Sequence, residues 1–486
     1  MYLIYADVRL LHIPLTLHTG TTMLILPAKL KWTIRSTAGV RSSSTEPPVG
    51  HAVLEAATQR YNALIFAWGA PAAQPSQPSS NGNHTHTLTQ VDIQVDNPDD
   101  SFETLQLGMD ESYTLDVPTT GTATIHAPTV WGALRALETL AQMIEYHPEG
   151  TPMGASTPWG SVADARHQKQ YTLAWAPWHI DDAPRFPHRG IMLDTARHWY
   201  SVPGPLRQFD AMAAAKMNTL HWHITDANSV PIESKLFPEL SKKGAYNPVS
   251  MVYTQEQVKT VVDYARHRGI RVVPEFDMPG HSNAWALGAP AGTMVLCPKM
   301  RGFGNTTGKD TEGNPYAYFD ATSETAYAFI DAFIGEMAGL FPDKVMHLGG
   351  DEVGTACYNQ SASVQAWLAA HPSVGVDDLI PMFSTRVHKI AAKHGKSVMN
   401  WEETFEAIYL KPDKGGPGCY GYNASTNETG PGGSKSCVAP APRHQAVNAS
   451  LPPDAIVHAW VNEGDVLNAQ LSATKFRSIS SMGYVK

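Results

Sequence analysis

The chain has 486 residues, more than one ordinary core organises, and its 43% hydrophobic and 17% charged residues describe a soluble globular protein of about two domains. A formal net charge of -9 with no basic run argues against a nucleic-acid partner. No stretch reaches the apolar length of a membrane helix, so no membrane span is expected.

The first thirty residues are apolar in patches, broken by Asp7, Arg9, Lys29 and Lys31, and show no clear signal peptide. Gly50 to Phe66 reads as a helix. Val91–Val95, Tyr113–Leu115 and Ala123–Ile125 read as short strands. Thr129 to Ile144 reads as a helix with Val130, Leu134, Leu137, Ala141 and Ile144 on one face. Pro71 to Thr89 is a polar loop, and Gly150 to Pro187, rich in Pro and Gly, reads as a linker. Residues 1–165 are therefore expected to form a small noncatalytic α+β domain, and 166–486 a second domain.

From Arg189 buried strands alternate with helices. Strands are expected at Gly190–Leu193, Thr219–Ile224, Ile270–Glu275, Lys344–Leu348, Lys396–Asn400, Ala455–Trp460 and Arg477–Ser480. Helices are expected at Gly204–Lys216, Thr254–His267, Glu324–Leu340, Leu379–His394 and Asp465–Ala473. This series predicts an α/β fold with a parallel sheet, a (β/α)8 TIM barrel in preference to a doubly wound sheet. Such barrels carry their chemistry where the strands end. Strand one closes with Asp194 to His198, strand two with His221 to Asp226, and strand three with Glu275 to His281. Strand five closes with Asn400-Trp401-Glu402 and strand six with His458-Ala459-Trp460. Singly, Arg197 could be a structural ion pair, His281 a loop histidine, and Trp401 or Trp460 core aromatics. Together they describe a polar pocket with aromatic walls; the twelve Trp and eighteen Tyr suit sugars in a cleft as well as core packing.

Strand four runs into Gly349-Gly350-Asp351-Glu352. The glycines let the backbone turn where Cβ atoms would clash, and the two carboxylates can share a site only once the strand has ended. Burial and like-charge repulsion can then keep one of them protonated near neutrality. A polar loop capping the next helix is the bland alternative. Glycosylation tripeptides at Asn83, Asn305, Asn359, Asn423, Asn427 and Asn448 point to an extracellular or lumenal compartment. The even cysteine set, Cys297, Cys357, Cys419 and Cys437, lacks metal spacing and favours disulfides.

These residues resemble the β-N-acetylhexosaminidases of glycoside hydrolase family 20. The matching motifs are H-R-G-I-M-L-D-T-A-R-H from His188, H-W-H-I-T-D from His221, E-F-D-M-P-G-H from Glu275 and H-L-G-G-D-E from His347. The resemblance covers about residues 180 to 486 and implies retaining hydrolysis of terminal N-acetylglucosamine or N-acetylgalactosamine, with the substrate's own acetamido oxygen as nucleophile. It implies that Glu352 is the general acid and base and that Asp351 holds the acetamido N–H. Arg197 would clasp sugar hydroxyls, and Asp226 and His281 would relay to Glu352. Trp401 and Trp460 would wall the acetamido pocket, and Tyr484 would bind the acetamido oxygen. It further implies a Cys297–Cys357 disulfide and a Cys419–Cys437 staple of the fungal type. No cofactor or metal is implied. The partner is a carbohydrate, either chitooligosaccharide or glycoconjugate glycan, and a homodimer is compatible.

This chain departs from the family pattern at Ala227, at Lys486 and in an eighth strand that is expected to be missing. The alternative to an active enzyme is thus a truncated sugar-binding remnant without turnover. A third reading is a metal-dependent hydrolase, with His221 and His223 on one side of a strand and His281 and Asp351 completing the set.

Overall fold

The computed structural model describes residues 14–36, 52–69, 86–148, 169–299, 309–310, 313–409, 449–460 and 476–480. The chain divides into two compact units. The first holds the residues up to Gly190 together with Leu206–Thr219 and Asp263–Arg271, and the second holds the rest.

The first unit is a mixed sheet with helices. Its strands are β1 (Thr16–Ile25), β2 (Lys31–Ser36), β3 (Leu88–Asn97), β4 (Tyr113–Val117), β5 (Gly121–Thr129), β6 (Ile144–His147) and β7 (Gln170–Asp182). They follow the order β1-β7-β4-β5-β3-β2, with β6 beside β7. The helices α1 (Ala52–Ile65) and α2 (Val130–Met143) close the core. In β3, Leu88, Val91, Ile93 and Val95 are buried against that core. Helix α2 starts where Thr129 accepts a hydrogen bond from the Gly132 N–H at 3.3 Å.

The expected linker does not span Gly150 to Pro187, because β7 lies inside it and pairs with β1, β4 and β6. Pro177 disguised this strand, since proline cannot donate to a ladder. It is accommodated where the β1–β7 register shifts between Thr19 and Thr22, and Gly20 faces it because any Cβ there would strike the ring.

In the second unit, β8 (Gly190–Asp194), β9 (Thr219–Thr225) and β10 (Arg271–Phe276) lead the sheet. A small antiparallel pair follows, β11 (Met294–Leu296) with β12 (Ala317–Phe319). The sheet continues with β13 (Val345–His347), β14 (Ser397–Trp401), β15 (Ile456–Ala459) and β16 (Arg477–Ser480). Its strands neighbour one another in chain order, and those from β10 to β16 pair in parallel. This is the wall of a partial (β/α) barrel, as its pattern of strands and helices predicts. Strands β9 and β10 are buried along their whole length, although β9 alternates Leu220, Trp222 and Ile224 with the polar His221 and His223.

The helices between the strands are α3 (Pro203–Ala214), α4 (Glu239–Gly244), α5 (Gln255–Arg266), α6 (Glu324–Leu340), α7 (Ala362–Ala370), α8 (Leu379–Lys393) and α9 (Glu402–Tyr409). The expected helix Asp465–Ala473 lies outside the described residues. Cys297 and Cys357 form a disulfide that ties the segment after β11 to the loop after Glu352. Among the described residues no helix is long and apolar enough to cross a membrane.

Candidate active site

The site is built from the turn after β13. Leu348 still donates to Met399 at 2.9 Å, and the Gly349 carbonyl accepts from the Trp401 N–H at 3.1 Å and from Asn400 Nδ2 at 2.9 Å. The chain then reverses with φ of +63° at Gly349 and +100° at Gly350. A Cβ on Gly349 would run into the Asp277 carboxylate, and one on Gly350 into the Thr404 hydroxyl. The freed space lets the Gly350 N–H donate to Asp277 Oδ1 at 2.9 Å. Glu352 itself sits at φ +54°, a left-handed conformation that costs an L-residue about 1–2 kcal/mol. That strain puts both carboxylates on the same side of the rim, beyond the end of the strand.

Around them the structure brings together Arg197, Asp226 and His281. Asp194, at the end of β8, accepts from the Arg197 N–H at 2.9 Å and from its Nη1 at 2.8 Å. Arg197 Nη2 reaches the buried Asp226 Oδ2 at 2.7 Å. The other Asp226 oxygen lies 3.4 Å from His281 Nδ1. His281 Nε2 then lies 3.3 Å from Glu352 Oε2 and 3.5 Å from Asp351 Oδ2. Five of the residues expected at the site therefore form one connected group.

Their charges are coupled. Burial alone would lower the His281 pKa, but the charges of Asp351 and Asp226 raise it well above the usual histidine value. Burial pushes Asp351 above the carboxylate range against the pull of His281. Asp277 is driven well above that range, by burial first and by Asp351 second. Glu352 goes the other way, because its contact with His281 holds it below the ordinary glutamate value. The proton expected on one of the adjacent carboxylates thus belongs to the buried Asp277–Asp351 pair. Burial pulls Glu352 upward, but His281 outweighs it, and the side chain stays 57% exposed.

The walls come from β14 and β15. Trp401 is buried and stacks on His458 with ring centroids 4.3 Å apart, while Trp460 meets its edge at 6.3 Å and stays 42% exposed. Trp460 Nε1 donates to both oxygens of Glu403 at 3.1 Å. Burial, reinforced by the nearby Asp351 charge, pushes the Glu403 pKa up to about 8. Asp277 and Glu403 were absent from the expected site. The strand-three motif contained Asp277, but Glu403 sits in the first turn of α9, where strand alternation gives no signal.

The metal reading needed His221, His223, His281 and Asp351 in one set. They fall instead into separate groups: His221 with Glu275 and His347, His223 with Asp226 and Asp277, and His281 with Asp277 and Asp351. In the first group His347 Nδ1 already accepts from the Gly349 N–H at 3.0 Å. Tyr484, Cys419 and Cys437 lie outside the described residues, as do the glycosylation positions Asn83, Asn305, Asn423, Asn427 and Asn448. Asn359 is exposed.

Residues 186–416 match the model described as "Glycosyl hydrolase family 20, catalytic domain", and residues 19–143 match one described as "beta-acetyl hexosaminidase like". The chain belongs to glycosyl hydrolase family 20. It is similar to the β-hexosaminidase subunit alpha of Bos taurus, 37% identical over 374 residues that make up 76% of this chain and 64% of that one. The subunit beta of Homo sapiens is 35% identical over 73% of this chain and 57% of its own length. The chain thus spans less than two thirds of the length of these curated relatives. Among solved structures, a chitobiase of Flavobacterium johnsoniae superposes with a TM-score of 0.67 at 24% identity, covering 98% of this chain and 60% of that one. That likeness is one of fold.

Proposed function

We propose that this protein is a retaining β-N-acetylhexosaminidase that removes terminal N-acetylglucosamine or N-acetylgalactosamine with help from the substrate's own acetamido group. The observation that carries this reading is the joining of Asp351 and Glu352 to Arg197 through Asp226 and His281 at one rim. The acetamido carbonyl oxygen attacks the anomeric carbon as the glycosidic bond breaks, forming an oxazolinium ion. Glu352 delivers a proton to the leaving oxygen, then takes one from the water that opens the ion. His281 supplies that proton in the free protein, because it is the protonated partner beside an ionised Glu352. Asp351 Oδ1 is buried without a hydrogen-bond partner among the described residues, which suits it to receive the acetamido N–H. Arg197 holds sugar hydroxyls, while Trp401 and Trp460 wall the acetamido group. The first unit carries no chemistry in this scheme. The Cys297–Cys357 disulfide supports a secreted or lumenal setting.

The test is Glu352→Gln assayed on chitobiose. Loss of a general acid is expected to lower turnover by roughly 10²–10⁴-fold with the fold intact. Near wild-type turnover would remove Glu352 from the mechanism.

A further inference from the structure

Behind the rim lies a buried charge that the proposed chemistry does not use. Glu275, 0% exposed at the end of β10, divides its oxygens between two jobs. Oε1 accepts from Trp401 Nε1 at 2.8 Å. Oε2 faces His221 Nε2 at 2.5 Å and His223 Nδ1 at 2.7 Å. The His223 contact is an ion pair rather than an aligned hydrogen bond, whereas its Nε2 makes a 2.9 Å hydrogen bond to Asp226 Oδ2. An imidazole between two buried carboxylates donates on both sides only when it is protonated. The side chains from Glu275 to Glu352 thus alternate in sign: Glu275, His223, Asp226, His281, Glu352. A neutral acceptor would satisfy the Trp401 N–H equally well, so packing alone gives no reason for a full charge here, where desolvation is costly.

We infer that Glu275 and His223 are positioning residues, which hold the Asp226–His281–Glu352 relay and the Trp401 ring in the charge state and placement that catalysis needs. The inference rests on the proposed function. It goes beyond that reading by tying the wall of the acetamido pocket to the acid through one buried carboxylate. Burial opposes a charge on His223, yet Glu275 and Asp226 raise its pKa well above the ordinary histidine value. Glu275 is held well below its ordinary value against burial by His223, His347 and His221. The other titratable groups near His223 are Asp277, Asp351 and His347, the last kept neutral because burial lowers its pKa to about 3, together with Arg197 across Asp226.

The experiment combines ring-¹⁵N NMR of the full chain with kinetics. His223→Gln assigns the His223 signals. At pH 7 the wild type is expected to show both His223 ring nitrogens protonated, and Glu275→Gln to show a neutral ring. In the same variant turnover of chitobiose, whose leaving group needs protonation, is expected to fall about 10–100-fold, part of what a general acid contributes. An aryl glycoside with an acidic phenol is expected to lose only a few fold. If Glu275→Gln does not fold, His223→Gln carries the same comparison of leaving groups. A neutral His223 in the wild type would overturn the inference, as would equal losses on both substrates, the mark of a merely structural role. Absence of wild-type turnover would count against the proposed function alone, since the ring spectrum answers for the relay separately.

Discussion

At the scale of residues, the proposed chemistry makes His281 the group that decides where the catalytic proton resides. Its Nδ1 faces Asp226 and its Nε2 faces Asp351 and Glu352, so it keeps a proton that Glu352 gives up. The alkaline limb of activity should therefore follow the His281–Glu352 pair rather than an isolated carboxylic acid. In His281→Phe, Glu352 loses the contact that lowers its pKa, and the proton must sit on the Glu352 carboxyl itself. The limb is expected to move to lower pH, with turnover at pH 7 reduced about tenfold or more. An unmoved limb in the kcat/KM profile would show that the proton does not pass through His281. Asp351, Glu352, Arg197, Asp226 and His281 were legible in the sequence because each closes a strand within a recognisable motif. Their charge states were not legible, since these depend on contacts between residues as distant as Asp226 and His281. Glu403 was missed because it sits on helix α9 while its partner, Trp460, follows the distant strand β15.

At the scale of elements, β8, β9, β10, β13, β14, β15 and β16 were readable because they alternate with helices of 3.6-residue period, whereas the short antiparallel pair β11 and β12 was not foreseen. The first unit was less so. Strands β1 and β2 carry little burial, and β7 hides behind Pro177. Its helix α2 is held by a feature that no periodicity predicts, the buried Glu111. This carboxylate meets Arg135 Nε at 2.8 Å, Arg189 Nη2 at 2.7 Å and Asn218 Nδ2 at 2.9 Å. Burial would raise its pKa, but Arg135 and Arg189 bring it below the ordinary value. Removing it strands those guanidinium groups, so Glu111→Ala is expected to cost about 3–5 kcal/mol in urea unfolding. A carboxylate with a lowered folded pKa stabilises above its unfolded value near 4.3, and that contribution fades as pH falls through the folded value. Glu111→Gln should therefore lose stability at pH 7 and show a flatter decline below about pH 4 than the wild type. An unchanged acid profile would mean that Glu111 is no part of the acid sensitivity.

At the scale of the molecule, the repeated strand-helix pattern fixes a parallel wall whose carboxyl ends all face one rim, and that common rim is what lets side chains far apart in sequence cooperate. The barrel class was legible from that repetition, and the family from the motifs it carries. The central claim is that the substrate supplies its own nucleophile while Asp351 holds it. The most direct measurement compares two aryl β-glycosides that are identical except that one carries a 2-acetamido group and the other a 2-hydroxyl. Anchimeric assistance predicts turnover of the acetamido compound at least about a thousandfold faster, the order of advantage that a well-placed neighbouring group supplies. Equal turnover of the two compounds, or turnover of neither, would contradict the account.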